Sequence, residues 1–159
     1  MNSPLLIIGI GNSYRSDDGA GLAVVRRLAR KAPSNVVLRE MSGEGCALME
    51  AWRGAGNVIV VDAVQSGDAD SAPGTIHRFE AHTEKVPSEF FHYSTHAFGL
   101  AEAIEMSRAL QELPKRLTIF GIEGENYKAG ETMSAQVEAS VESVLRSLEV
   151  EFRPAMSNY

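Results

Sequence analysis

The stretch Asn57-Val58-Ile59-Val60-Val61-Asp62 decides the fold, because four consecutive branched apolar residues end at a carboxylate. A short, continuous apolar run is typical of a strand that is buried on both faces, as in a parallel sheet. A second run of this kind, Leu-Leu-Ile-Ile-Gly-Ile at residues 5–10, is followed by Gly11. Both runs are far too short to cross a bilayer, so they are predicted to be core strands.

Helical and strand-like patterns alternate along the rest of the chain. Apolar spacings of three or four residues predict helices over residues 18–31, 46–52, 96–113 and 134–148. Short apolar or weakly alternating runs predict further strands over residues 36–40, 75–80 and 116–122. This order predicts an α/β three-layer sandwich: a mainly parallel, twisted sheet of about five strands with helices on both faces.

Composition limits both the size of the fold and its partners. The 159 residues, of which 44% are hydrophobic, suit one domain over residues 1–159, with a core from about 5 to 148 and a loose tail over 151–159. A formal net charge of −6 argues against nucleic acid and against an anionic membrane surface as partners. One cysteine, Cys46, and an N-terminus without the features of a signal peptide favour the cytoplasm. We expect Cys46 to be a small buried residue rather than a nucleophile.

The first candidate site is the segment GIGNSYRSDDGAG at residues 9–21. A dinucleotide-binding motif would need glycine where Tyr14 stands. Asp17 and Asp18 would also repel a pyrophosphate at the start of the following helix. Either Ser16 or Asp17 would serve as a helix cap, but one cap does not account for both acids. Asp18 is therefore the stronger candidate for a functional carboxylate.

Two further candidates belong to later segments. Asp62 follows a predicted strand, and sites in open parallel sheets form beyond the carboxyl ends of strands. Ser94 or Thr95 is predicted to cap a helix, which would place His96 in its first turn and favour a neutral imidazole. With Asp18, these side chains form a set that suits a borderline divalent ion such as nickel or zinc.

Other readings of these patterns remain open at this level. A receiver-like signalling domain also gathers acids after its first and third strands, and Ser94 or Thr95 would supply its hydroxyl. It would also need a lysine after the last strand, but none occurs before Lys128, and the paired acids lie well beyond the first strand. Four glycines of the site segments are predicted to permit tight turns and to leave room for an extended peptide: Gly9, Gly11, Gly19 and Gly43.

The three segments, in this order and at this spacing, resemble the hydrogenase maturation protease family. The resemblance runs from about residue 5 to residue 148, nearly the whole chain. The matching residues are Gly9-x-Gly11-Asn12, Asp17-Asp18-Gly19-x-Gly21, Val61-Asp62-Ala63-Val64, Ser94-Thr95-His96-x-x-Gly99, Gly121-Ile122-Glu123 and, before and in the closing helix, Met133-Ser134-x-x-Val137.

This resemblance implies an endopeptidase that removes the C-terminal extension of a nickel-iron hydrogenase large-subunit precursor after nickel insertion. It implies that Asp18, Asp62 and His96 recognise the nickel carried by that client and include the catalytic groups. Zinc or another divalent ion would also suit the set. A carboxylate, or a water polarised by the metal, would act on the scissile peptide. The runner-up is a nickel-checking or client-docking module without proteolysis.

The chain departs from the family pattern after the second strand. The family commonly has an acid followed by Gly-Gly-Thr, whereas the segment here is Met-Ser-Gly-Glu-Gly-Cys at residues 41–46. Asp18 also replaces a glutamate that is common in the family. We assign Asn12, Gly43 and Glu44 as candidate substrate-binding residues, and these departures bear on client identity more than on the fold.

Overall fold

A single five-stranded sheet organises the protein. The structure is a computed structural model that describes residues 4–67, 71–91 and 96–152. The strand order is β2-β1-β3-β5-β4, in which only β4 runs antiparallel to its neighbour. The strands are β1 (Leu5–Ile10), β2 (Val36–Met41), β3 (Asn57–Val64), β4 (Ile76–Glu80) and β5 (Arg116–Glu123). The predicted α/β class with a mainly parallel sheet is confirmed.

In the described part of the chain, four helices cover the two faces of this sheet. They are α1 (Ala20–Leu28), α2 (Gly45–Trp52), α3 (Leu100–Ala109) and α4 (Ala135–Phe152), with short 3₁₀ turns at Ser16–Gly19 and Ser88–Phe91. Helices α1 and α4 pack together in one hydrophobic cluster, and α2 and α3 contribute to another. Within the described ranges, no helix has the length and apolar character needed to cross a membrane.

Each core layer forms because an apolar helix stripe meets a sheet face. Val24 of α1 and Leu148 of α4 are fully buried on one side, and Leu48 of α2 and Ile104 of α3 on the other. Burying each such side chain contributes roughly 1.5–3 kcal/mol. The second layer also holds a buried polar contact, in which the Trp52 indole Nε1 donates to Ser107 Oγ at 3.1 Å.

Several predicted boundaries were wrong, and three of these affect the site or the tail. Strand β3 continues through Val64, so Asp62 lies within the strand, paired in register with Gly121 of β5. Helix α3 begins at Leu100, after a Gly99 cap, so His96 precedes the helix instead of occupying its first turn. Helix α4 extends through Phe152 because that side chain is buried, two residues into the predicted tail.

The strand order creates the place where a site can form. The chain leaves β1 for β2 on one side and later returns to pair β3 with the other side of β1. The connections therefore diverge at the carboxyl ends of β1 and β3, which leaves a crevice between them.

Candidate active site

A cleft at the carboxyl ends of β1 and β3 brings the three predicted functional residues together. Its volume is about 290 Å³, and Asp18, Asp62 and His96 all line it. The other lining residues come from the ends of β1 and β3, the loops after β1 and β2, helix α1, the 3₁₀ turn at Ser88–Phe91 and the start of α3: Ile10, Gly11, Asn12, Ser13, Tyr14, Arg15, Leu22, Ser42, Gly43, Ala63, Phe90, Phe91 and Leu100. The predicted co-location of the three residues is observed.

Asp18 reaches the cleft because the chain after β1 turns back closely on itself. The turn depends on Gly11, whose φ is +154° and whose missing side chain would lie 1.9 Å from the Asp18 carbonyl oxygen. Gly21 then allows α1 to lie directly against the sheet, since an added Cβ would be 2.3 Å from the Val61 carbonyl oxygen. These close approaches hold the start of α1 over the ends of β1 and β3.

The glycines near the cleft divide into two groups. Gly11 and Gly43 line the cleft, as the prediction of room for a peptide requires. Gly9 has another role, because a Cβ there would lie 2.3 Å from the Gly21 carbonyl oxygen in α1. It leaves room for a helix and not for a ligand, so the prediction was wrong for Gly9.

The two carboxyl groups of the cleft have unequal surroundings. Burial raises the pKa of Asp62 well above its ordinary value, and the neighbouring charge of Asp18 raises it further. Burial also raises the pKa of Asp18, but the Arg15 charge and the Asn12 backbone amide oppose that rise. Asp18 is thus the member more easily ionised, and Asp62 the member that more readily keeps a proton.

His96 lies at the side of the cleft near the start of α2. The backbone brings the two segments together, since Gly45 N–H donates to the Phe98 carbonyl oxygen at 2.8 Å. A side chain at Gly45 would collide with the Phe98 ring, at 2.2 Å from its Cδ1. The predicted caps Ser94 and Thr95 lie outside the described residues.

Two of the three candidate substrate-binding residues line the cleft, and the third caps a helix. Asn12 and Gly43 line the cleft, but Glu44 is not among its lining residues. The Glu44 carboxylate caps α2, accepting from the backbone amides of Cys46 at 2.9 Å and Ala47 at 2.8 Å. These hydrogen bonds, with a smaller contribution from His96, lower the pKa of Glu44.

Asp17 lies beside Asp18 in the sequence but points into the protein. Its side chain is fully buried and accepts from Glu125 N–H at 2.8 Å, Asn126 N–H at 2.9 Å and Ser134 N–H at 2.7 Å. The Ser134 hydroxyl donates as well, at 3.1 Å. The predicted capping of the helix by Ser16 or Asp17 is wrong, because neither the 3₁₀ turn nor α1 has a side-chain cap. Asp17 instead holds the loop after β5 against the start of α1.

Sequence reasoning missed several residues of the cleft. Tyr14 and Arg15 line it, although Tyr14 served in the sequence only to exclude a nucleotide motif. Phe90 and Phe91 form an aromatic wall from a segment without regular periodicity. The signal for Tyr14 and Arg15 was their position, since a loop directly after a parallel strand belongs to the site edge. The prediction of a buried Cys46 was wrong: this thiol is exposed and lies outside the cleft lining.

The cleft does not contain a ready-made metal centre. Over residues 4–67, 71–91 and 96–152, no three histidine, cysteine, aspartate or glutamate side chains are grouped closely enough to hold an ion. Asp18, Asp62 and His96 therefore share a cleft without forming a closed coordination shell. Their donor types suit nickel or zinc. The assignment of these residues to metal recognition stays a prediction.

The fold and the cleft together define an α/β protein with a paired-carboxylate site at its topological switch point. A family model described as "HycI: Hydrogenase maturation protease" matches residues 22–151. The chain belongs to the hydrogenase maturation protease family, and the resemblance found in the sequence is confirmed.

Individual relatives agree with this assignment. The chain is 29% identical over 147 residues to the hydrogenase 2 maturation protease of Escherichia coli K12, covering 91% of this chain and 87% of the relative. A solution structure of an endopeptidase from Escherichia coli has a TM-score of 0.80 and 26% identity, over 96% of this chain and 93% of that one. The hydrogenase maturating endopeptidase HybD from E. coli shares the fold, with a TM-score of 0.76, 24% identity and the same coverage.

Proposed function

We propose that the protein is an endopeptidase that removes the C-terminal extension of a nickel-iron hydrogenase large-subunit precursor after nickel insertion. The observation that carries this proposal is the presence of Asp18, Asp62 and His96 in one cleft of a member of this family. The cytoplasm, where such a precursor would be processed, is part of the same proposal.

The carboxyl pair supports peptide hydrolysis. Two acids whose surroundings separate their pKa values can act as base and acid in one reaction. Before the client docks, Asp18 is the member suited to accept a proton from an attacking water. Asp62, whose pKa is raised, is suited to hold a proton for the peptide oxygen or the leaving amine.

Recognition of the nickel would depend on the client. An ion already held by the precursor brings ligands of its own, so the protease needs to supply only a few additional donors. An open arrangement of two carboxylates and an imidazole fits that task better than a closed site would. Docking of the ion would orient the adjacent peptide in the cleft and convert a loose encounter into a positioned one.

The cleft walls suit a peptide chain. Gly11 and Gly43 leave the backbone open on one side, and Phe90, Phe91 and Leu100 provide an apolar surface on the other. Such a combination can hold an extended segment while the charged groups act at one end.

The test is incubation of the protein with the nickel-loaded precursor and with the same precursor lacking nickel. We expect loss of the extension, measured by mass spectrometry, only from the nickel-loaded form. Asp62→Asn should stop this cleavage while its circular dichroism spectrum stays that of the wild type.

Two results would contradict the proposal. Stable binding of the precursor without any mass loss would favour the nickel-checking or client-docking module. Equal cleavage of the precursor with and without nickel would remove nickel recognition from the proposal and leave the protease activity in place.

A further inference from the structure

Tyr14 and Arg15 form one edge of the cleft, here called the Tyr14–Arg15 lip. Both line the cleft; Tyr14 is 67% exposed, and Arg15 is half-buried. No hydrogen bond or ion pair of the Arg15 guanidinium occurs among the described residues. The lip thus presents an aromatic ring and a cation to whatever enters.

The backbone that carries the lip is held firmly. Tyr14 N–H donates to Asn12 Oδ1 at 2.9 Å, and Arg15 N–H donates to the Asn12 carbonyl oxygen at 3.2 Å. Gly130 N–H donates to the Tyr14 carbonyl oxygen at 2.8 Å, and Ser16 N–H donates to the Gly130 carbonyl oxygen at 2.8 Å. Ser16 also has a φ of +54°, an uncommon conformation for a residue other than glycine. Because this backbone is already held in place, binding of a ligand by the Tyr14 and Arg15 side chains would cost less conformational entropy.

Arg15 differs from the two ion-paired arginines of α1. Arg26 pairs with Glu40 at 2.8 Å, and Arg27 pairs with Glu142 at 2.6 Å. Within the described part of the chain, Arg15 is the sole lysine or arginine that lines the cleft. It influences Asp18 electrostatically, but the two form no ion pair. The cleft therefore has an acidic interior and one cationic edge.

A guanidinium group suits one class of ligand in particular. Its planar fork of N–H donors matches the two oxygens of a carboxylate, and the pair forms charge-assisted hydrogen bonds. A cation on the rim of an otherwise acidic cleft would also orient a peptide that carries positive charge at one end and negative charge at the other.

We propose that Arg15, with Tyr14 beside it, is a specificity-determining residue that binds a carboxylate in the client's C-terminal extension. That carboxylate is either an acidic side chain of the extension or the terminal carboxylate of the precursor. The inference rests on the proposed function and extends it to the part of the client that is recognised away from the metal.

The test compares kinetics of cleavage of the nickel-loaded precursor by wild type, Arg15→Gln, Arg15→Lys and Arg53→Gln. Arg53 is an exposed arginine outside the cleft lining, so it is the matched control. We expect Arg15→Gln to raise KM roughly 10- to 100-fold with little change in kcat, as the loss of charge-assisted hydrogen bonds predicts. Arg15→Lys should retain part of the effect, and Arg53→Gln should match wild type.

Two altered precursors distinguish the sources of the carboxylate. One has the acidic side chains of the extension changed to amides, and the other has an amidated C-terminus. One of the two precursors lacks the carboxylate that Arg15 binds. The KM of wild type for that precursor should be raised, whereas the KM of Arg15→Gln should be the same for it as for the unaltered precursor.

The inference is overturned if Arg15→Gln has a wild-type KM, or if neither altered precursor raises the wild-type KM. It is also overturned if Arg15→Gln shifts the pH profile of kcat while KM stays constant, since Arg15 would then act through Asp18. These outcomes leave the protease function standing as long as wild type cleaves the nickel-loaded precursor. Absence of wild-type cleavage removes both proposals.

Discussion

Asp17 and Asp18 are neighbours in the sequence with opposite surroundings. Asp17 is fully buried and receives four hydrogen bonds, three from backbone amides and one from a hydroxyl. Asp18 lines a cleft and faces the second acid Asp62, and its carboxyl is supported by the Asn12 backbone amide and the nearby Arg15 charge. A carboxylate whose acceptor sites are filled is structural, whereas one left open in a cleft is available to a ligand or a proton.

This difference assigns stability to one residue, Asp17, and function to its neighbour, Asp18. Asp17 joins the loop after β5 to the start of α1, and in doing so it supports the segment from which Asp18 projects. The polar interactions that hold the site together are therefore distinct from the groups that would perform its chemistry. The same substitution at the two positions should have different consequences.

Asp18→Asn should have the largest effect, and it should fall on activity. Replacing one carboxylate of the pair removes a proton acceptor or metal-facing oxygen, so we expect precursor processing to fall roughly 10²- to 10⁴-fold. The unfolding midpoint in urea should stay at or above that of wild type. Processing within tenfold of wild type would mean that Asp18 is not part of the reaction.

Asp17→Asn should have the largest effect on stability. The amide loses an acceptor oxygen and brings a donor group towards the amides of Glu125 and Asn126, so we expect a loss of roughly 3 kcal/mol. Urea denaturation followed by circular dichroism would measure it. A midpoint equal to that of wild type, combined with lost processing, would instead place Asp17 in the reaction.

Gly21→Ala tests the close approach that places both aspartates over the sheet. The added methyl group would lie 2.3 Å from the Val61 carbonyl oxygen and 2.5 Å from that of Ile10, so α1 must shift. We expect a loss of roughly 1–3 kcal/mol by thermal denaturation. Gly19→Ala is the matched control, because its nearest contact would be an ordinary 3.4 Å to Ser13 Cα. Equal stability of the two variants would contradict the close-packing explanation.

The pH dependence of stability should reveal the surroundings of Asp62. The folded protein raises the pKa of this carboxyl above its ordinary value of 3.8, so the folded state binds the proton more tightly than the unfolded state. Its contribution is most favourable below pH 4 and is lost as the pH rises through the raised pKa. Asp62→Asn should lose less stability than wild type between pH 4 and pH 8 in chemical denaturation. Identical pH profiles would show that Asp62 is not buried in this way.

Glu44→Ala should have the smallest effect. Because the side chain caps α2, we expect a slight decrease in the melting temperature and nearly unchanged processing. Glu50→Ala, an exposed glutamate on the same helix, is the control for stability. A large increase in KM for Glu44→Ala would show that this residue also contacts the client, as the sequence suggested.

The sequence predicted which segments form the site better than it predicted where each residue lies within or beside its helix or strand. The apolar runs before Gly11 and Asp62 were correctly predicted as strands, and parallel pairing then required their carboxyl ends to meet. The prediction failed where local propensity was weak. The sequence placed His96 in a helix because capping residues precede it. The cap is instead Gly99, whose backbone N–H donates to the Glu102 carboxylate at 3.1 Å.

The lip was missed for a different reason. Tyr14 and Arg15 lie in a loop whose shape depends on Gly130, more than a hundred residues later in the chain. No periodicity in the sequence encodes such a contact. The aromatic wall at Phe90 and Phe91 was likewise hidden in a segment without a regular pattern.

By itself, the amino-acid sequence determined the strands, the helix stripes and the presence of acids near the carboxyl ends of strands, because hydrophobic periodicity and strand polarity are local properties. Only the tertiary structure decided that Asp17 is buried and Asp18 open. That outcome depends on donors from Ser134, which is 117 residues away in sequence. Two adjacent identical side chains differ in role because each meets a different distant segment, and such long-range contacts are set by the folded packing as a whole.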